Sequence, residues 1–411
     1  MSDDASPSPS PSPSRRQLLV GGGAVAGWGA ALALGVDAAV AAPAPAPVPV
    51  PSQDTGGLRG ASTVEFHGTH QAGVAVVPQA HSTFVALDLV DGVDRAALGR
   101  LMRLLTDDAR RLTQGLPALA DTEPELARRP ARLTVTFGFG PGLVARAGGE
   151  VPGWLGPLPS FGVDRLEEGW SDGDLLLEIA SDDSVTVAHT VRMLLKDARS
   201  FAGVRWVQQG FRDAYGSVPA GTSMRNLFGQ VDGTVNLVPG TTDDDLVWIG
   251  NGWLAGGTSV VIRRIAMNLE TWDELDRPGR EQSVGRRLDT GAPLTGTREH
   301  DEPDFAALDA VGFPVIPEFS HVARARSADP RERFLRRGYN YDLPPRPGAI
   351  SESGLVFVSF QADPVAQFVP VQRRLDELDL LNTWTTPIGS AVFAVPPGCE
   401  EGGFVGETLL G

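Results

Sequence analysis

The sequence predicts an α+β protein built as two similar halves, each an antiparallel sheet with packed helices. Two observations carry this. In the first half, segments of strand-like and helix-like apolar spacing follow in the order β-α-β, β-α-β. In the second half the same kinds of segment recur, although no residue-level repeat is visible. The doubled β-α-β order is that of a ferredoxin-like sandwich.

Each element has its own reason. Residues 82–89 (STFVALDL) read as a strand rich in β-branched and apolar residues. Residues 93–113 place Leu98, Leu101, Leu104 and Leu105 on one side of a helix. Residues 131–139 (ARLTVTFGF) alternate as a strand, and a short helix follows from Pro141 to Ala147. Residues 174–180 form a strand, Ser184 opens a helix to Phe201, and residues 204–211 close the half as a strand. In the second half, strands are expected at 258–268, 354–362 and 390–396, with helices at 279–287 and 365–380. The Pro/Gly/Asp-rich connections 149–172 and 286–318 are long, and such stretches usually carry function or wrap a neighbour.

Ahead of these halves stands a leader. Residues 2–14 are low-complexity Ser/Pro sequence that cannot build a core. Ser14-Arg15-Arg16-Gln17-Leu18-Leu19 precedes a Gly-diluted apolar run to Leu34 and small residues from Ala38 to Ala42. That run is short for a spanning helix, which needs about 20 apolar residues. Paired arginines before a weakly apolar segment resemble a twin-arginine export signal. The expected organisation is leader 1–44, linker 45–60, an N-terminal half 61–225 and a C-terminal half 226–411. The translocase would carry the chain folded to the periplasm, cell envelope or exterior.

Composition excludes several functions. Fifty-one acidic against 35 basic residues give a net charge of -16, the wrong field for a nucleic-acid partner. The single cysteine, Cys399, excludes an internal disulfide, a CxxC redox pair and a thiolate metal cage. Six histidines without an HExxH pattern argue against a zinc protease.

Three segments remain as candidates for chemistry. Phe228-Gly229-Gln230-Val231-Asp232-Gly233-Thr234-Val235-Asn236 is, on its own, a glycine-rich turn. His321, in Phe319-Ser320-His321-Val322, reads alone as a hydrogen-bonded loop histidine. Arg336 and Arg337 would point to opposite faces if they lie on a strand, so at most one can enter a given pocket.

Taken together, these segments resemble the dye-decolourising (Dyp-type) peroxidases, a haem-enzyme family. Gly229-x-x-Asp232-Gly233 matches its GxxDG motif. His321 falls where the family places its proximal ligand, and Leu335-Arg336-Arg337-Gly338 matches its distal-arginine segment. Further matches are His70-Gln71-Ala72-Gly73, the segment 354–361 and Trp384-Thr385-Thr386-Pro387-Ile388-Gly389-Ser390. With its leader, the chain looks like the exported, deferrochelatase-like branch.

The resemblance implies two ferredoxin-like halves in a dimeric α+β barrel-like fold, with haem b in the C-terminal half. It implies His321 as iron ligand, Asp232 as catalytic base and Arg336 as the stabilising cation, with Arg337 as the fallback. Gly229, Gly233 and Thr234 would contact the cofactor, Leu355 and Phe357 would line its distal face, and Arg331 would meet a propionate. Asp376 and Asp379 are both candidates for the carboxylate behind the histidine. The implied reactants are hydrogen peroxide and a small-molecule or metal-complex electron donor. The alternative activity is iron release from haem, and a homo-oligomer is left open. An ordinary Asp titrates near ~3.9 and a neighbouring cation lowers that, so an acid optimum at roughly pH 4 to 5 is expected.

Overall fold

The computed structural model describes residues 59–219 and 221–411. The expected leader and nearly all of the linker lie outside the described residues. The first four strands are β1 (His81–Leu89), β2 (Thr134–Phe139), β3 (Leu175–Ser181) and β4 (Ala202–Phe211). They pair antiparallel in the order β2-β3-β1-β4. The later strands are β5 (Thr258–Met267), β6 (Tyr339–Leu343), β7 (Glu352–Gln361) and β8 (Thr385–Val395). They pair in the order β8-β5-β7-β6. Each array has the strand order of a ferredoxin-like unit. Phe139 pairs with Ala394 and Phe211 with Asn340, so the two arrays close into an eight-stranded ring.

Helices α1 (Arg95–Thr113) and α2 (Ser184–Ala198) cover the first array. Leu98, Leu101 and Leu105 are fully buried against it, and each stabilises the fold by about 1.5–3 kcal/mol. Asp183, not Ser184, caps α2, its carboxylate accepting from Val185 N–H at 3.1 Å. On the second array lie the short α3 (His321–Ala325) and α4 (Phe368–Leu378).

The expected helix at 279–287 is shorter and earlier. It spans Arg277–Val284 behind an Asp276 cap and stops at Gly285, whose φ is 85°. Strand β6 has no counterpart among the expected elements. It is only five residues long, Tyr339-Asn340-Tyr341-Asp342-Leu343, and carries Asn and Asp, residues depleted in strands. Strand β8 begins five residues earlier than expected: Thr385 to Pro387 already pair with β5, and the 149–172 connection runs alongside, Arg165 and Glu167 donating N–H to the carbonyls of Pro387 and Ile388.

Candidate active site

Alternation along two strands creates the site. Arg263, Ile265 and Met267 of β5, with Leu355 and Phe357 of β7, face outward into a cavity of about 330 Å³. Their neighbours Val356 and Val358 face the ring interior instead. Helix α4 supplies Phe368, Val371 and Leu375 to the cavity, and the long 286–318 connection supplies Arg286, Pro303 and Phe305.

His321, the first residue of α3, shows its exposed edge to this cavity. Its Nδ1 lies 2.6 Å from Oδ2 of Asp379, which is buried. The imidazole is thus held as the Nδ1–H donor, and Nε2 keeps its lone pair for another partner. Burial pulls the imidazole down, but the charge and hydrogen bond of Asp379 outweigh it and hold His321 above its ordinary value. Of the two candidate carboxylates the structure selects Asp379. Asp376 turns the other way and accepts N–H from Gly162 and Val163, each at 2.8 Å.

Asp232 lies on the short strand Val231–Asp232, paired with Met224–Arg225. Glycines at positive φ flank it, Gly229 at 78° and Gly233 at 107°. Arg336 Nη1 donates to Asp232 Oδ1 at 3.3 Å and Nη2 to the Val235 carbonyl at 3.1 Å. Asn226 donates to the other Asp232 oxygen at 3.4 Å. Arg336 pairs across β7 with Ser359, and its successor faces the other way, as strand geometry requires. Arg337 is buried in the ring, donating to Gln79 Oε1 at 2.6 Å and to the Val76 carbonyl, with Glu178 at 3.7 Å. Thr234 also lines the cavity and donates to Glu299 at 3.0 Å.

Two expected residues do not line the cavity: Gly229 shapes the turn before Asp232, its N–H donating to the Asn226 carbonyl at 2.9 Å and its own carbonyl accepting from Arg225 at 2.8 Å, and Arg331 lies away from the pocket. Arg331 is 84 % exposed and meets only Asp329 at 3.6 Å, outside the cavity. It sits on a loop tip, and the sequence offers no sign of which way that loop turns. Arg286 is the cation that sequence reading missed. It is buried, lines the cavity and donates to the carbonyls of Gly291 and Glu299 at 2.7 and 2.9 Å. It has no carboxylate partner among the described residues. Burial pulls its guanidinium below its ordinary value. Arg326 and Arg333 also line the cavity but are paired with Glu302 and Asp243.

These residues fit haem. Among the described residues no group of three His, Cys, Asp or Glu could hold a bare metal ion. A lone imidazole with a free Nε2 suits a metal that brings its other ligands along. Ile265, Met267, Leu355, Phe357 and Leu375 supply apolar walls, and Arg286 offers a charge to a carboxylate. A Cβ at Gly233 would have no protein atom within 4 Å, so the backbone there opens onto ligand space. The volume is that of a ligand pocket, typically ~300–1,000 Å³.

Fold and site together define a haem enzyme with an Asp–Arg pair beside its ligand pocket. Residues 71–212 match the model of the Dyp-type peroxidase N-terminal domain, and residues 223–400 that of the C-terminal domain. The chain belongs to the Dyp-type peroxidase family. It is 36% identical over 362 residues to a dye-decolorizing peroxidase of Thermobifida fusca, covering 83% of each chain. It is 34% identical over 372 residues to a deferrochelatase of Escherichia coli K12, covering 84% of this chain and 86% of that one. Among solved structures, a DyP-type peroxidase from Cellulomonas bogoriensis superposes with TM-score 0.84 at 58% identity, over 86% of this chain and 99% of that one. Ferric DtpA from Streptomyces lividans gives 0.82 at 40% identity, over 85% and 98%. The protein is a haem peroxidase that reduces hydrogen peroxide and oxidises an electron donor.

Proposed function

We propose that Asp232 moves the proton and Arg336 stabilises the developing negative charge when peroxide is split. The observation that carries this is the direct contact of the two side chains in the cavity that also holds His321 and Asp379. Bound haem supplies the redox-active iron at which peroxide is reduced. His321 would hold that iron through Nε2, and Asp379 makes the imidazole a stronger donor by accepting from Nδ1–H. Arg286 would take a propionate in place of the expected Arg331. Asp232 accepts a proton from the near peroxide oxygen and returns it to the departing one. Arg336 stays charged at any working pH, and its guanidinium offsets charge on the departing oxygen.

Stopped-flow mixing with peroxide tests this. Asp232→Asn should slow the reaction by ~10²–10⁴. Arg336→Leu should cost ~10²–10³. Both variants should keep the Soret band of the haem-loaded protein. Wild-type rates in Asp232→Asn, or a pH profile rising steadily to pH 8, would refute the assignment of the base.

The deferrochelatase relatives support a second reading, release of iron from haem. That activity needs His321 but not the Asp232–Arg336 pair. In the double variant Asp232→Asn/Arg336→Leu, surviving iron release alongside lost peroxide chemistry would favour it. We also infer export of the folded, haem-loaded chain by the twin-arginine translocase, supported by Arg15-Arg16 and the weakly apolar run after them. Replacing both arginines by lysine should leave the protein in the cytoplasm, and unchanged export would exclude that route.

A further inference from the structure

Arg336 stands on a strand of only two residues, Leu335–Arg336, hydrogen-bonded to β7 on one side. Its other side would present a free N–H and C=O, the usual condition of an edge strand. Both groups are taken by one side chain. Arg336 N–H donates to Asn236 Oδ1 at 2.7 Å, and Asn236 Nδ2 donates to the Arg336 carbonyl at 2.8 Å. The amide thus replaces a neighbouring strand. It stands four residues beyond Asp232 on the same segment, so the segment that carries the base also grips the backbone that carries the cation.

We propose that Asn236 is a positioning residue that sets the separation of Asp232 and Arg336. The proposal rests on the roles assigned to that pair above. Three features make the amide suited to this. Its two bonds reach backbone atoms, so they fix where the Arg336 chain lies rather than how its side chain bends. Its Oδ1 also accepts its neighbour Leu237 N–H at 3.1 Å, which locks the rotamer. On the far side, Arg337 N–H donates to Val358 at 2.8 Å and the Arg337 guanidinium is anchored in the ring, so the strand is held from both edges. Without Asn236, the Asp232 segment loses its hydrogen bonds to the Arg336 backbone and keeps only those made by the flexible Arg336 side chain, to Asp232 and to the Val235 carbonyl. A displacement of the order of 1 Å at a catalytic group costs ~10²-fold in rate.

The test uses the haem-loaded protein and two readouts: the peroxide reaction rate and the dissociation constant of cyanide. Hydrogen cyanide must give up a proton and place a polar atom near the cation, so its affinity reports the pair without turnover. Asn236→Ala should slow the peroxide reaction by ~10–100-fold and weaken cyanide by a similar factor. The Soret band and haem content should not change. Asn236→Asp keeps the acceptor for Arg336 N–H and should recover part of both losses. In an Arg336→Leu background Asn236→Ala should add nothing, because a residue acting only through Arg336 has no remaining target. Full additivity in that cycle, an unchanged cyanide constant, or loss of the Soret band in both Asn236 variants would overturn the proposal. If instead Arg336→Leu itself leaves both readouts untouched, the assignment of the pair fails, and that failure is separate from this one.

Discussion

At the level of single residues, the buried Asp379 carboxylate holds the His321 imidazole, and Arg336 holds Asp232 across the same cavity. Asp232, His321 and Arg336 were legible as members of three ordered motifs, and the structure brings all three to one cavity. The choice between Arg336 and Arg337 was legible as an either-or, since strand neighbours face apart. Asp379 was not separable from Asp376 by spacing. Helix α4 ends at Leu378, and Asp379 turns inward just beyond it while Asp376 stays on the helix. Removing the carboxylate behind the imidazole should cost about 10–100-fold in activity or metal affinity. For Asp379→Asn we therefore expect a slower peroxide reaction and a higher haem reduction potential, read by redox titration. An unchanged potential would show that the carboxylate only orients the ring.

At the level of elements, the long apolar runs of β3 and β7, buried on both faces, announced themselves, whereas β6 is only five residues and is interrupted by Asn340 and Asp342. The helix Arg277–Val284 starts ahead of the expected 279 because Asp276 caps it and Pro278 suits its first turn. Its end matters for the site. Gly285 adopts φ 85°, and a Cβ there would approach Val322 Cγ1 to 2.4 Å, next to His321. Gly285→Ala should therefore cost roughly 1–3 kcal/mol in backbone strain alone. It should also weaken haem retention, measured by transfer to an acceptor protein, because α3 must shift to make room. A variant that loses stability yet keeps its haem would show that α3 tolerates the shift.

At the level of the whole molecule, buried acids tie stability to pH. Burial pushes the Glu178 carboxyl up to about 7, and the Arg337 guanidinium pulls the other way without cancelling it. Asp197 is pushed to about 7 by burial and by the adjacent Asp108. In each case the folded protein holds its proton more tightly than the unfolded chain. Their contribution is complete below the ordinary carboxylate range and is lost as pH rises toward 7. The wild-type melting temperature should therefore fall between pH 5 and pH 7. Glu178→Gln should flatten that slope, and an equal slope in the variant would exclude Glu178 as a source. These two groups thus add stability in acid, the opposite sense to carboxylates such as Asp301 whose titration is held low by hydrogen bonds.

The ring of strands has one more consequence. Its two arrays meet through a single residue pair at each junction, Phe139 with Ala394 and Phe211 with Asn340. A closed ring of this kind leaves no long strand edge on which a second chain could template itself. Opening fluctuations of the ring should begin at one of these two seams, where a single pair joins the arrays, and not within the β5–β7 ladder that carries the cavity's outward-pointing side chains. Amide exchange should be quickest at those seams and slowest along the β5–β7 and β5–β8 ladders. Such a molecule can breathe at its joints while its cofactor stays seated.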